Sequence, residues 1–321
     1  ERGEAVRNAP NFWSQRSGVF DFTVEDDRAL MQMRRQGAEQ PARFVDKAEW
    51  ERKVRLYQGL LEEYERQDDA PTDTLLDLYN KLFELQYTVG NYQKAYALAQ
   101  DQLTLAQRSK DQGLIAKALN NLGNVYASTS EWNQAIAIYE RSLETFKRVG
   151  DMQGQAGTYN NLGLVYTQKG EWDQAIEYYE HSLETFERLG DMSGLAQTWG
   201  NLGLVYANKG ERDQAIAMYE HSIELSKRIG DVYGVASTWI NLGNVYLQKG
   251  EQDQAIEYYQ KNLEISERVG DVHGVAQTRM GLGNLYAQKG HWDQAIAMYE
   301  QSLKTFERVG DVHRTAQTWD N

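Results

Sequence analysis

The sequence predicts an all-α fold, an α-solenoid in which helical hairpins stack one behind another. Two observations predict it. The chain repeats itself every 40 residues, within the range of roughly 20–50 that marks stacked repeats. Inside each period, two apolar patterns with helical spacing are separated by a glycine. Units run 71–110, 111–150, 151–190, 191–230, 231–270 and 271–310, and a stub at 311–321 opens a seventh. Between 151–190 and 191–230, roughly 25 of the 40 positions are identical.

One unit serves for all. In its first half Trp199, Leu202 and Tyr206 recur at steps of three and four, one stripe of a helix. In its second half Ala215, Ile216 and Tyr219 do the same. Gly210 lies between the halves, where a residue without Cβ can end a helix in the left-handed conformation. Gly230 ends the second helix, and Asp231 behind it suits the N-cap of the next unit. Gly150, Gly190, Gly270 and Gly310 with Asp151, Asp191, Asp271 and Asp311 repeat that punctuation. Each helix should run about 15 residues, or about 22 Å.

The ends depart from the pattern. Unit 71–110 keeps Leu82, Gly90, Tyr92 and Ala95 but has Phe83 where the others carry a mid-helix glycine. Before it, Trp50, Val54, Tyr57, Leu60, Leu61 and Tyr64 form one stripe of a helix within 46–70, which suits a cap on the stack. Residues 1–45 hold no repeat; a short helix around 25–36 is expected there, with Phe12, Trp13, Phe20 and Phe22 needing a surface to bury against. A chain that opens on Glu and closes inside a repeat reads as a fragment of a longer one.

Composition excludes several classes. The 321 residues carry a formal net charge of −13, against the basic face that phosphate neutralisation needs, so no nucleic-acid partner is expected. No apolar run reaches the roughly 18 residues of a membrane helix, and no secretory signal opens the chain, so the expected place is the cytoplasm, away from membranes. With no cysteine, disulfides, thiolate metal sites and thiol nucleophiles are impossible. No glycine-rich phosphate loop occurs, and the acids recur on every unit instead of forming one distinctive pair. The expectation is no enzyme, no metal and no cofactor. His181 and His221, equivalent and one unit apart, read as solvent-facing; Lys169, Lys209, Lys249 and Lys289 read as favourable charge at helix C-termini.

"WGNLGLVY" at 199–206 and "WINLGNVY" at 239–246 resemble the tetratricopeptide pattern W-x2-L-G-x2-Y, and Ala215 to Tyr219 and Ala255 to Tyr259 resemble its second-helix A-x3-F/Y. The resemblance covers about 71–321. Two features depart from it: the period is 40 instead of the usual 34 or so, and the proline that closes the second helix is replaced by Arg-Val-Gly-Asp at 148–151 and its equivalents. The longer variety is similar to arrays in cell-polarity adaptors, bacterial peptide receptors and the arms of signalling ATPases. The resemblance implies a right-handed superhelix of tetratricopeptide hairpins whose first helices line a concave face. The mid-helix glycines, Gly203 among them, are expected to admit a close neighbour, with Ala215 and its equivalents as the small face opposite.

The positions that vary carry the functional expectation. Directly before the Leu-Gly pair stand Asn121, Asn161, Asn201 and Asn241, then Gly281; directly after it Asn124, Leu164, Leu204, Asn244 and Asn284. One residue further out stand Asn120, Asn160, Gly200, Ile240 and Met280, and a turn later Ser128, Gln168, Asn208, Gln248 and Gln288. None of these is acidic, in a chain with 47 Asp and Glu. An asparagine side chain both donates and accepts, so a row of them can pair with the backbone of an extended peptide. The resemblance implies that role for Asn121, Asn161, Asn201 and Asn241, while Gly200, Ile240 and Met280 differ in size as selective pockets would. The alternative for the asparagines is that they bond neighbouring helices and set the pitch of the stack. The expected partner is a protein or peptide, with end-to-end self-association possible. Two other functions compete: a ligand-sensing arm of a larger bacterial signalling or defence protein, and a structural spacer or self-assembling array.

Overall fold

The computed structural model describes residues 47–67 and 70–309. The helix expected around 25–36, the aromatic residues before it, and the segment 311–321 with His313 and Trp319 lie outside the described residues. Among the described residues there are thirteen α-helices and no strand. The contacts between helices divide the chain into two compact units, Glu1–Gly194 and Leu195–Asn321.

The first unit contains α1 (Lys47–Glu65), α2 (Thr72–Thr88), α3 (Tyr92–Ser109), α4 (Gln112–Ser128), α5 (Trp132–Val149), α6 (Met152–Lys169) and α7 (Trp172–Leu189). The apolar stripe of α1 packs on α2, with Val54, Tyr57 and Leu61 against Leu78, Leu82 and Leu85. Trp50 adds a hydrogen bond from its indole nitrogen to the Leu85 carbonyl at 3.0 Å. Phe83, standing in the glycine position, is buried with Ala95, Ala99, Leu122 and Val125. It stacks on Tyr87 at 5.5 Å between ring centroids. Ala135, Tyr139 and Leu143 of α5 are buried with Leu162 and Val165 of α6.

The second unit holds α8 (Met192–Lys209, from Leu195 on), α9 (Arg212–Arg228), α10 (Val232–Lys249), α11 (Gln252–Val269), α12 (Val272–Gln288) and α13 (Trp292–Val309). Ala215, Tyr219 and Ile223 are buried with Leu242 and Val245. Ala255 and Tyr259 repeat the arrangement with Leu282 and Leu285. On α13, Trp292 and Ile296 are 65% and 56% exposed, although the equivalent Ile136, Ile216 and Ile256 pack against their clusters.

The punctuation acts as the sequence predicts. The Asp151, Asp231 and Asp271 carboxylates accept from the backbone N–H of Gly154, Gly234 and Gly274, each at 2.9 Å. These bonds satisfy one of the orphan donors of each helix start. The turn residues Gly150, Gly170, Gly210, Gly230, Gly250 and Gly270 all have φ between 72° and 81°, a region open to glycine at no steric cost.

The close contact at the mid-helix glycine differs from the expectation. Its neighbour is the tyrosine four residues after the alanine. A Cβ placed on Gly203 would lie 2.7 Å from the Tyr219 ring, and one on Gly123 would lie 2.6 Å from the Tyr139 ring. The aromatic face is flat and occupies the space where the Cβ would project. The alanine instead fills the cluster shared with the following first helix.

A second device was not foreseen. Ser142, Ser182, Ser222 and Ser302 each donate to a first-helix carbonyl 26 residues earlier, of Ala116, Ala156, Ala196 and Ala276, at 2.7–3.0 Å. Asn262 takes the same place with an amide, bonding Ala236 at 2.8 Å. Each of the five hairpins from α4–α5 to α12–α13 therefore carries one buried polar tie between its helices.

Candidate functional site

The asparagines stand on the first helices of the hairpins from α4 on, whose mid-helix glycines lie against tyrosine rings. In the first unit the network is well defined. Asn121 Nδ2 donates to Asn80 Oδ1 at 3.1 Å and to Gln102 Oε1 at 2.9 Å. Asn161 Nδ2 donates to Asn124 Oδ1 at 3.2 Å and Asn120 Oδ1 at 3.4 Å. Tyr139 donates its phenolic proton to the same Asn124 Oδ1 at 2.6 Å. An amide has two donor hydrogens and two acceptor lone pairs. Asn121 and Asn161 thus use their donors inside the protein and keep Oδ1, whereas Asn124 uses its acceptor and keeps Nδ2.

In the second unit Tyr259 donates to Asn244 Oδ1 and Tyr299 to Asn284 Oδ1, the latter at 2.6 Å. Those two amides also keep Nδ2. Asn241 is half-buried and has no hydrogen-bond partner among the described residues, while Asn201 is partnered. The phenols are the residues of this candidate site that sequence reasoning missed. They read as core packing because their rings are core; only the geometry shows the hydroxyl reaching the asparagine.

Of the other residues named from sequence, Asn244, Gln168 and Gln248 are exposed, and Ile240, Met280 and Asn284 are half-buried. Asn160 is 8% exposed and already has a partner inside the protein. A Cβ on Gly200 would fall 3.3 Å from Ser222 Oγ, so the missing side chain there fits a close helix contact and not an open pocket.

The rest of the surface is ordered by aromatic and charged pairs. His181 and His221 are exposed, as expected, and stack on Tyr159 and Trp199 at 5.2 and 4.9 Å. The helix-end lysines do more than face a dipole. Lys169 pairs with Glu171 at 2.7 Å and sits over the Tyr166 ring at 5.5 Å. Lys249 pairs with Asp213 at 2.9 Å and Glu251 at 3.1 Å and sits over Tyr246. Tyr166 and Tyr178 stack at 5.2 Å, and Tyr246 and Tyr258 at 5.3 Å. Among the described residues no group of three or more His, Asp and Glu is placed to hold a metal ion. Nor is any helix there long and apolar enough to cross a membrane.

Several tyrosines are held protonated. Burial pushes Tyr178 and Tyr259 up to about 12, and a hydrogen bond with Tyr96, then burial, takes Tyr126 to about 12. In an unfolded chain tyrosine ionises near 10. Their contribution to stability is therefore complete below about pH 10 and is lost as pH rises toward 12, where the unfolded state sheds the proton first. Urea midpoints should stay flat with pH below 10 as far as these groups are concerned and fall above it, with phenolate absorbance rising late. Phenolate formation near pH 10 for every tyrosine would contradict this account.

The tetratricopeptide repeat family profile matches residues 74–148, 154–228 and 234–308. The chain belongs to the tetratricopeptide repeat family. Among solved structures it is similar to BtubC from P. vanneervenii, at 26% identity and TM-score 0.60 over 69% of this chain and 92% of that one. It is also similar to a Rap protein complexed with Competence and Sporulation Factor, at 16% identity and TM-score 0.60 over 89% and 78% of the two chains. The apo form of the quorum sensor NprR from B. thuringiensis is similar at 16% identity and TM-score 0.58, over 94% and 88%. The last two likenesses are of fold. No curated protein sequence matches this tetratricopeptide chain.

Proposed function

We propose that this tetratricopeptide array is a binding module, not an enzyme, that holds an extended peptide or protein segment against its first-helix asparagines. One observation carries the reading. On α4, Asn121 keeps an acceptor and Asn124, three residues on and so on the same face, keeps a donor. A peptide unit offers the complement, one N–H and one C=O. Asn161 keeps an acceptor, and Asn244 and Asn284 keep donors. Asn241 brings an amide with no bond inside the described protein.

The same bonds also tie α4 to α2 and α6 to α4, so the structural role weighed for these asparagines coexists with binding. Internal pairing fixes the amides before a ligand arrives, which lowers the ordering cost of association. That the Rap protein of the same fold is seen with Competence and Sporulation Factor is compatible with a peptide ligand here. A cytoplasmic place and a sensing or signalling role for a larger assembly belong to this proposal.

A face without acidic groups, inside an acidic exterior, should bind with little dependence on salt. The probe is a peptide recovered by this protein from a displayed random library, titrated at low and high ionic strength. Nearly equal affinities are expected. A steep loss at high salt would mean that the charged exterior, not the amide face, does the binding.

A further inference from the structure

The phenols behind the asparagine face are not equivalent. Tyr139, Tyr259 and Tyr299 each donate to the asparagine that follows the mid-helix glycine. Where leucine stands in that place the phenol needs another acceptor, and Tyr179 finds the Thr167 hydroxyl at 3.4 Å. Tyr219 has neither: Leu204 occupies the asparagine position and Ala207 the threonine position.

The Tyr219 ring is 1% exposed and lies on Gly203, yet its hydroxyl has no hydrogen-bond partner among the described residues. The sealed, unpartnered side-chain atoms there are Asp77 Oδ1 and Arg279 Nε, and the Tyr219 oxygen is not one of them. Burial alone raises its pKa, with no charged neighbour contributing. Leu204, at the position where Asn124 meets the Tyr139 phenol, is 38% exposed. A donor without an acceptor, next to an exposed aliphatic side chain, breaks the amide pattern in chemistry as well as in sequence.

We propose that Leu204 and Tyr219 form a subsite that selects an aliphatic residue of the bound peptide. Leu204 packs against its side chain, and the phenol donates to its main-chain carbonyl. The inference rests on the peptide-holding reading above. The acceptor is a carbonyl, the group that every peptide unit offers. Asparagine pairs with any backbone; a leucine there cannot, and contributes only by covering apolar surface.

The test uses a displayed library of short random peptides, selected on the wild-type chain, on Leu204→Asn and on Tyr219→Phe. Leu204→Asn recreates the pair seen at Asn124 and Tyr139, so it is compatible with the fold. Wild type should enrich Leu, Ile, Val or Met at one peptide position, and Leu204→Asn should lose that enrichment while still capturing peptides. Tyr219→Phe should keep the enrichment but bind the best wild-type peptide roughly two- to tenfold more weakly. Unchanged enrichment in Leu204→Asn together with unchanged affinity in Tyr219→Phe overturns the subsite. If Asn241→Ala still weakens capture in that case, the peptide-holding reading stands without it. Failure of the wild type to capture any peptide overturns both.

Discussion

Replacing Gly203 with leucine should lower the stability of the array by about 1–3 kcal/mol, the usual cost of overpacking a filled contact. A Cβ alone would sit 2.7 Å from the Tyr219 ring, and the ring is enclosed and cannot swing aside cheaply. The gain of about 1 kcal/mol from removing a mid-helix glycine is already outweighed at that distance. Truncating Tyr219 to alanine in the same chain should recover part of the loss, because the leucine then has space. The alanine alone should be costly, since it empties a core position. Urea melts of the two single variants and the double variant measure the coupling. Additive losses would show that Gly203 and Tyr219 do not press on one another.

The fold was legible because the repeat states it many times over. Apolar spacing marked the helices, glycine and aspartate marked their ends, and the structure keeps those boundaries closely. What misled was the partner of Gly203. A small residue invites the guess of a small face opposite, and Ala215 is small; but the flat ring of Tyr219 achieves the same close approach and buries more apolar surface. The hidden hydroxyls of Ser142, Ser182, Ser222 and Ser302 were illegible for another reason. Serine reads as polar and external, and nothing in a single chain shows that a carbonyl 26 residues earlier lies within reach.

The candidate site was half legible. Its asparagines could be picked out by subtraction, as the neutral variable positions on an otherwise acidic chain. Which atom each amide keeps for a ligand could not, because it depends on bonds to Tyr139, Asn80 and Gln102 that only three-dimensional proximity creates. Asn160 has the right letter and nearly the right register, but it is buried.

The most direct measurement of the central claim is peptide affinity after Asn161, Asn201 and Asn241 are replaced together by alanine. Each side chain that bonds a peptide backbone should contribute about 0.5–1.5 kcal/mol net. The triple variant should therefore bind about 1.5–4.5 kcal/mol more weakly, roughly ten- to a few-thousand-fold. Asn161 also bonds Asn120 and Asn124, so circular dichroism and melting must accompany the titration. Asn241, which gives up no bond within the described protein, serves as the single-site control. The account predicts weakened binding of a library-selected peptide with helicity retained. Wild-type affinity in a triple variant that melts normally would contradict it and leave these asparagines with a structural role alone.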